Sequence, residues 1–264
     1  MTAVIEAKGI SKRFGGVQAL QDVAIQAEAG QVVGLIGPNG AGKSTLVGCL
    51  TGLIRIDAGA VFFRGQEITH LSPHQRARLG IGRTFQKLRL ADRLTVFENV
   101  AAGMFAHLFR NEGASRLRRT VAPVRRPEVT DAVTRALRST GTESLRDEMV
   151  GVLPYGQRHF VELARALVSE PDVLLLDEPA TGLTDSEKDR LCEVVTQFRA
   201  GGRAVILIEH DLELVGRLCD QVMVVDHGQP IFAGTPAEAQ RNPTVVVAYL
   251  GTARLGPKGG ENHA

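Results

Sequence analysis

No apolar run in the chain approaches the roughly 18 to 20 residues that a membrane span requires, so any business with a bilayer is expected to go through a partner. Cysteine is scarce: Cys49, Cys192 and Cys219 stand apart, without metal-ligand spacing. They read as small core hydrophobes in a reducing compartment, which excludes a disulfide framework or a cysteine metal site. The opening MTAVIEAKGI has neither the basic head nor the apolar core of a signal peptide, and the expected location is cytoplasmic. Neither sign of charge dominates. The formal net charge is +2, which alone points neither toward nucleic acid nor away from it. What is present is 264 residues at 44% hydrophobic content, the balance of an ordinary globular chain.

The most informative stretch is GPNGAGKST, residues 37 to 45. The apolar run Val32, Val33, Gly34, Leu35 and Ile36 before it reads as a buried strand. Leu46, Val47, Leu50 and Leu53 follow at helical spacing, so the stretch joins a strand to a helix. That is the context the phosphate-binding loop G-x-x-x-x-G-K-[ST] demands. Gly37, Gly40 and Gly42 allow the tight turn in which the backbone N–H groups of Gly37, Asn39, Gly40, Ala41 and their successors surround one anion, with Pro38 fixing the turn. The helix N-terminus adds partial positive charge. Lys43 supplies a cation for the outer phosphates, Ser44 a hydroxyl for Mg²⁺, and Thr45 completes the motif. A nucleoside triphosphate is the expected ligand.

The rest of the chain alternates strands and helices, which predicts an α/β fold with a mainly parallel sheet. Val4 to Ala27 suggests short strands turning at Phe14, Gly15 and Gly16, with Phe14 either a core aromatic or a base-stacking one. AVFFRGQEI, 60 to 68, reads as a strand pair turned at Arg64 and Gly65. Ser72, Pro73 and Gln75 predict a capped helix ending near Gly80, with IGRTFQ as a strand running into a loop. From about 88 to 150 the pattern is helical in pieces, with an exposed loop near 110 to 128. That loop carries Arg116, Arg118, Arg119, Arg125 and Arg126, a solvated cluster or a contact for lipid headgroups or nucleic acid. Amphipathic helices are predicted from about 158 to 169 and from 186 to 200. A hairpin turns near His227 and Gly228, a helix starts at Thr235, Pro236 and Glu238, and the last ten residues read as disordered.

In parallel α/β sheets chemistry collects at the carboxyl ends of strands. The apolar run 173 to 176 closes on Asp177 and Glu178, and the run 204 to 208 closes on Glu209, His210 and Asp211. Carboxylates ending a buried strand are costly unless they bind something. Asp177 suits a partner of Mg²⁺, Glu178 a base that orients or deprotonates water, and His210 a sensor of the γ-phosphate.

With these residues in place the chain resembles the ATPase subunits of ABC transporters over nearly its whole length. GPNGAGKST matches that family's Walker A motif, VLLLDEP at 173 to 179 its Walker B, and LPYGQ at 153 to 157 its signature motif. Gln86 in RTFQ matches the Q-loop glutamine, His210 in LIEHD the switch histidine, and Phe14 the base-stacking aromatic. The resemblance implies a P-loop ABC ATPase core, residues 1–87 and 151–235, that includes an N-terminal antiparallel β subdomain. It also implies a helical subdomain with the basic insert at about 88–150, C-terminal helices at 236–254 and a tail at 255–264. Two such domains would sandwich two ATP molecules head to tail, with Tyr155, Gly156 and Gln157 of one meeting the γ-phosphate held by the other. Gly156 at a helix start suits that role. Gln86, Ser44 and Asp177 would attend Mg²⁺. Two departures stand out: Pro154 where the signature usually has serine, and Thr184, followed by Asp185, where the D-loop generally has aspartate.

Finer details are similar to the importers of branched-chain and other hydrophobic amino acids: IGRTFQ, LIEHDL, the long helical insert and the ending GTPAEAQRNPTVVVAYLG. Lipopolysaccharide-export ATPases have a similar ending but a serine signature, and urea or amide transporters remain open as relatives. The resemblance implies two transmembrane permease subunits, a second ATPase subunit or another copy of this chain, and indirectly an extracytoplasmic binding protein. The chain would sit peripherally on the cytoplasmic face of the inner membrane. Nucleic acid is not an expected partner, because neither the sustained heptads nor the internal repeat of non-transport ABC ATPases is present. Leu88, Leu90, Leu94 and Phe97 either receive a coupling helix from the permease or belong to the core.

Overall fold

The structure, a computed structural model, describes residues 3–104 and 126–253. Arg116, Arg118, Arg119 and Arg125, and the tail, lie outside the described residues; of the basic cluster only Arg126 is placed, as the residue preceding a helix. In chain order the strands are β1 (Ala3–Phe14), β2 (Val17–Glu28), β3 (Val32–Ile36), β4 (Ala58–Phe63), β5 (Gln66–Glu67), β6 (Ile81–Arg83), β7 (Val173–Asp177), β8 (Ala204–Ile208), β9 (Gln221–Asp226) and β10 (Gln229–Gly234). The described α-helices are α1 (Lys43–Leu50), α2 (Pro73–Leu79), α3 (Val96–Ala102), α4 (Pro127–Ser139), α5 (Tyr155–Leu167), α6 (Asp185–Ala200), α7 (Leu212–Leu218), α8 (Pro236–Arg241) and α9 (Pro243–Ala253).

Two sheets form. One is antiparallel, in the order β2-β1-β4-β5; the other runs β10-β9-β3-β8-β7-β6 and is parallel except where β10 pairs with β9. Instead of the short strands expected near the N-terminus, β1 and β2 are long partners with several register shifts, and Gly15 and Gly16 make the turn between them. The bulges let one long hairpin bend over the core, which an apolar-polar count alone reads as breaks.

Every residue of β3, β7 and β8 is buried, because both faces of the parallel sheet are covered. Val33, Leu35, Val173, Leu175, Ile206 and Ile208 meet α1 and the antiparallel sheet in one core. Their alternates Val32, Ile36, Leu174, Leu176, Val205 and Leu207 meet the helices on the other face. A third core is helical, built from Val96, Val100, Val129, Val133, Leu137, Val161 and Ala164. Helix α5 contributes to two of these: Phe160, Leu163 and Leu167 face the sheet, while Val161, Ala164 and Val168 just beyond it face α3 and α4. Its 3.6-residue period thus serves two apolar stripes.

The helix starts follow the sequence chemistry. Ser72 and Thr235 each form the expected capping box, with Gln75 and Glu238, and each is followed by proline at the first helical position. Gly80 ends α2 at φ 108°, a conformation open to glycine. The C-terminal carbonyls of α1 are gathered by the buried Arg76, whose guanidinium donates to Cys49, Leu50, Thr69 and Leu71. All three cysteines are buried and free, and burial pushes the Cys49 thiol up to about 11. The balance of forces predicts a contrast between two truncations. Phe160→Ala, emptying space in the core, should destabilise the chain by roughly 3 to 5 kcal/mol, and Ser72→Ala, losing a cap, by about 1 kcal/mol. Urea unfolding measures both, and equal losses would mean that α5 is not seated between two cores.

Candidate functional site

The parallel register brings the carboxyl ends of β3, β8 and β7 side by side: Leu35 pairs with Ile208, and Ile208 pairs with Asp177. The loop after β3, Glu178 and the chain leaving β6 therefore line one cleft of about 420 Å³, while Asp177 and His210 lie outside its lining, next to Glu178. Residues 39 to 45, Gln86 and Glu178 line it, along with Val17, Gln18, Ala19, His227 and Gly228. Phe14, half exposed at the end of β1 with the Lys12 ammonium 5.4 Å from its ring, stands on the adjoining hairpin rather than in the lining.

Glycine is required in the loop for steric as well as conformational reasons. A Cβ on Gly37, at φ 146°, would lie 2.0 Å from the Val225 carbonyl, and one on Gly42, at φ 101°, would lie 2.5 Å from that of Ala19. Helix α1 begins at once with Lys43. Its ammonium is buried and donates to the Gly37 and Pro38 carbonyls at 2.7 and 2.8 Å. Burial holds it below the usual lysine range, against the pull of Glu178 and Asp177.

Glu178 is held from two sides. Gln86 Nε2 donates to one carboxylate oxygen at 2.9 Å, and the His210 Nε2–H donates to the other at 2.9 Å. Its backbone takes the left-handed conformation, φ 52°, with its N–H on the Ile208 carbonyl at 3.0 Å. For a residue with a side chain that is a sparsely populated region, and it aims the carboxylate into the cleft instead of along the strand. Asp177 is buried, and burial raises its pKa despite the Arg83 guanidinium 3.0 Å from Oδ2. Its Oδ1 is buried with no hydrogen-bond partner. An orphaned carboxylate oxygen, on the residue before Glu178 of the cleft lining, fits an oxygen-ligated divalent cation.

Two residues that the sequence left without a role support this geometry. Arg83 neutralises Asp177. Glu209, 3% exposed, accepts the Ala180 N–H at 2.7 Å and the His210 N–H at 3.0 Å, tying the segments after β7 and β8 together. The signal for Glu209 was its position, an acid closing an apolar strand.

Tyr155, Gly156 and Gln157 are not in the cleft. They open helix α5, whose N-cap Pro154 makes no side-chain capping bond. The Tyr155 hydroxyl donates to the Thr181 carbonyl at 3.3 Å. Gly156 is buried beneath Glu187: an added Cβ would lie 1.7 Å from Glu187 Oε1. Glu187 in turn forms a capping box with Thr184, which starts α6, so the Thr184 hydroxyl is engaged within its own chain while Asp185 is exposed. His159, one turn into α5, is buried and pushed down to about 4, burial outweighing the nearby Glu187.

A glycine loop on a helix N-terminus, with acidic and imidazole groups on adjacent parallel strand ends, defines a P-loop nucleotide-hydrolysing domain. The ABC transporter family model matches residues 20–181, and a model described as branched-chain amino acid ATP-binding cassette transporter matches residues 229–254. The high-affinity branched-chain amino acid transport ATP-binding protein BraF of Pseudomonas aeruginosa is 37% identical over 95% of this chain and 98% of its own. The protein LivG of Escherichia coli K12, of the same description, is 36% identical with the same coverage. Among solved structures, an ATP-binding cassette of an ABC transporter in its ADP conformation superimposes with a TM-score of 0.84 at 31% identity, over 95% of this chain and 100% of its own. The chain belongs to the ABC transporter family, as one of its ATP-hydrolysing cassettes.

His159 generates a pH prediction. A histidine whose folded pKa is depressed from 6.5 to about 4 contributes stability that is present above 6.5 and is lost as pH falls toward the folded value. Between pH 7.5 and 5 the loss amounts to about 2 kcal/mol. In His159→Gln the unfolding free energy should fall by about that much less over the same interval, as read by urea titration at both pH values. An unchanged pH slope would remove His159 from the list of acid-sensitive groups.

Proposed function

We propose that this chain powers an importer of branched-chain or other hydrophobic amino acids. The observation that carries the reading is the agreement, along almost the whole length and again in the C-terminal segment, with ATP-binding subunits of branched-chain amino acid transport. The partners in this reading are two permease subunits, a second ATPase subunit or another copy of this chain, and indirectly an extracytoplasmic binding protein. The chain works at the cytoplasmic face of the inner membrane. Among the described residues no helix is long and apolar enough to cross a membrane, which fits peripheral attachment.

A surface suited to the permease adjoins the loop after β6. Residues 92–94 and 149–151 are joined by backbone bonds from Val150 to Leu94 and from Gly151 to Asp92, both 3.1 Å. On this pair Leu94 and Met149 are exposed, as is Val152 just beyond it. Leu90 and Phe97 instead pack against the helical core. Of the four apolar residues considered for docking, Leu94 is exposed and Leu88 half-buried outside that core, with Met149 and Val152 exposed near Leu94.

In the cleft, the loop amides and Lys43 receive the triphosphate, and from the adjoining hairpin Phe14 offers its exposed ring to the base. Ser44, Asp177 and Gln86 would hold Mg²⁺, which when bound would supply charge neutralisation to the phosphates. Glu178 takes a proton from water as the water oxygen bonds to the γ-phosphorus and the bridging oxygen departs with ADP. His210 holds both Glu178 and the γ-phosphate. Tyr155, Gly156 and Gln157 reach the γ-phosphate of a facing protomer, bringing the α5 N-terminus to bear on it. Glu178→Gln should nearly abolish hydrolysis while leaving ATP binding intact, whereas Lys43→Ala should lose binding. The test is to purify tagged Glu178→Gln from solubilised membranes with ATP present and identify what accompanies it. Two polytopic membrane proteins and a second ATPase support the reading; ribosomal or DNA-repair proteins without membrane partners overturn it.

A further inference from the structure

The segment from Thr84 to Leu94 has no regular secondary structure, yet it carries Gln86 to Glu178. Its anchors lie on α5. Glu162, 2% exposed, accepts the Arg89 N–H on one carboxylate oxygen at 2.7 Å, and its other oxygen pairs with Arg165 at 3.1 Å. Arg165 also donates to the Arg89 carbonyl. Both main-chain polar groups of Arg89 therefore end on one helix. One turn earlier Arg158 pairs with Asp92, fastening the same loop again. Toward the cleft, the Arg89 guanidinium lies 4.1 Å from the Phe85 ring, and Arg83 lies 4.9 Å from the same ring while it pairs with Asp177. A cation-ring-cation stack thus runs from the Walker B carboxylate to the loop that α5 holds.

We propose that Glu162, with Arg165, makes the signature helix and the loop after Gln86 one mechanical body, and that Glu162 is a positioning residue for ATP hydrolysis. By fixing both main-chain polar groups of Arg89 to α5, the pair sets where Gln86 meets Glu178. A buried carboxylate is expensive unless its oxygens are bonded, and here they are spent on a loop backbone and one arginine rather than on the helical core. The proposal rests on the reading of Gln86 and Glu178 as hydrolytic residues. Glu162 itself is not among the residues that line the cleft.

The test compares full-length wild type, Glu162→Ala, Glu162→Gln and, as control, Glu178→Gln. Steady-state ATP hydrolysis, binding of a fluorescent ATP analogue and amide exchange over residues 86–92 are measured in each. Glutamine can still accept the Arg89 N–H but cannot pair with Arg165. The alanine variant should lower kcat about tenfold and the glutamine variant about threefold, with analogue affinity unchanged and exchange over 86–92 accelerated. Turnover within about twofold of wild type in both variants overturns the proposal, as does an affinity loss that parallels the loss of turnover. If the alanine variant does not fold, the glutamine variant decides by the same criteria. Continued hydrolysis by Glu178→Gln overturns the hydrolytic reading itself, separately from any result at 162.

Discussion

Two-sided burial of the parallel strands is the constraint from which the rest follows. A strand covered on both faces admits apolar side chains along its length, and β3, β7 and β8 obey this at every position up to the last residue. Polar chemistry can enter only where the strand ends, and the parallel register makes those ends coincide. The phosphate loop, Asp177, Glu178 and His210 are therefore neighbours by construction, although 173 residues of sequence separate Gly37 from His210.

At the floor of that cluster, charges are managed pairwise. Lys43 and Asp177 are both buried, and each is pushed toward neutrality by burial while the opposite charge resists. Arg83 satisfies one oxygen of Asp177 and leaves the other bare. Glu178 escapes this floor by its left-handed backbone turn, which places it among donors at the cleft wall. Two adjacent acids thus occupy different environments, one suited to a cation and the other to water. Glu209, buried behind them, locks the two strand ends at a fixed spacing through backbone N–H groups.

Much of this was legible in the chain. The phosphate loop, the apolar strands closing on acids and the caps at Ser72 and Thr235 all follow from local chemistry, and local chemistry is what a sequence displays. What was not legible depended on contacts between distant segments. The continuity of β1 and β2 through their bulges is set by the partner strand, and the double face of α5 by two separate cores. Arg83, in the quoted stretch IGRTFQ, could not be assigned to Asp177 because the pair spans 94 positions. Nor could Leu90 be sorted from Leu94, since apolar residues in an irregular loop have no period to reveal which way they face.

The close seating of Gly156 under Glu187 has a consequence for how this surface can change over time. A methyl group at 156 meets the far end of the Glu187 side chain, the same carboxylate that caps Thr184, and Glu187 must swing aside to admit it. The two positions, thirty-one apart in the chain, are therefore not free to drift separately. A lineage that acquired a larger residue at 156 would give up the Glu187 cap on α6, at a cost of about 1 kcal/mol, unless position 187 changed with it. Descent through single substitutions is thus coupled here: a gain at 156 comes at lower cost once the side chain at 187 has shortened.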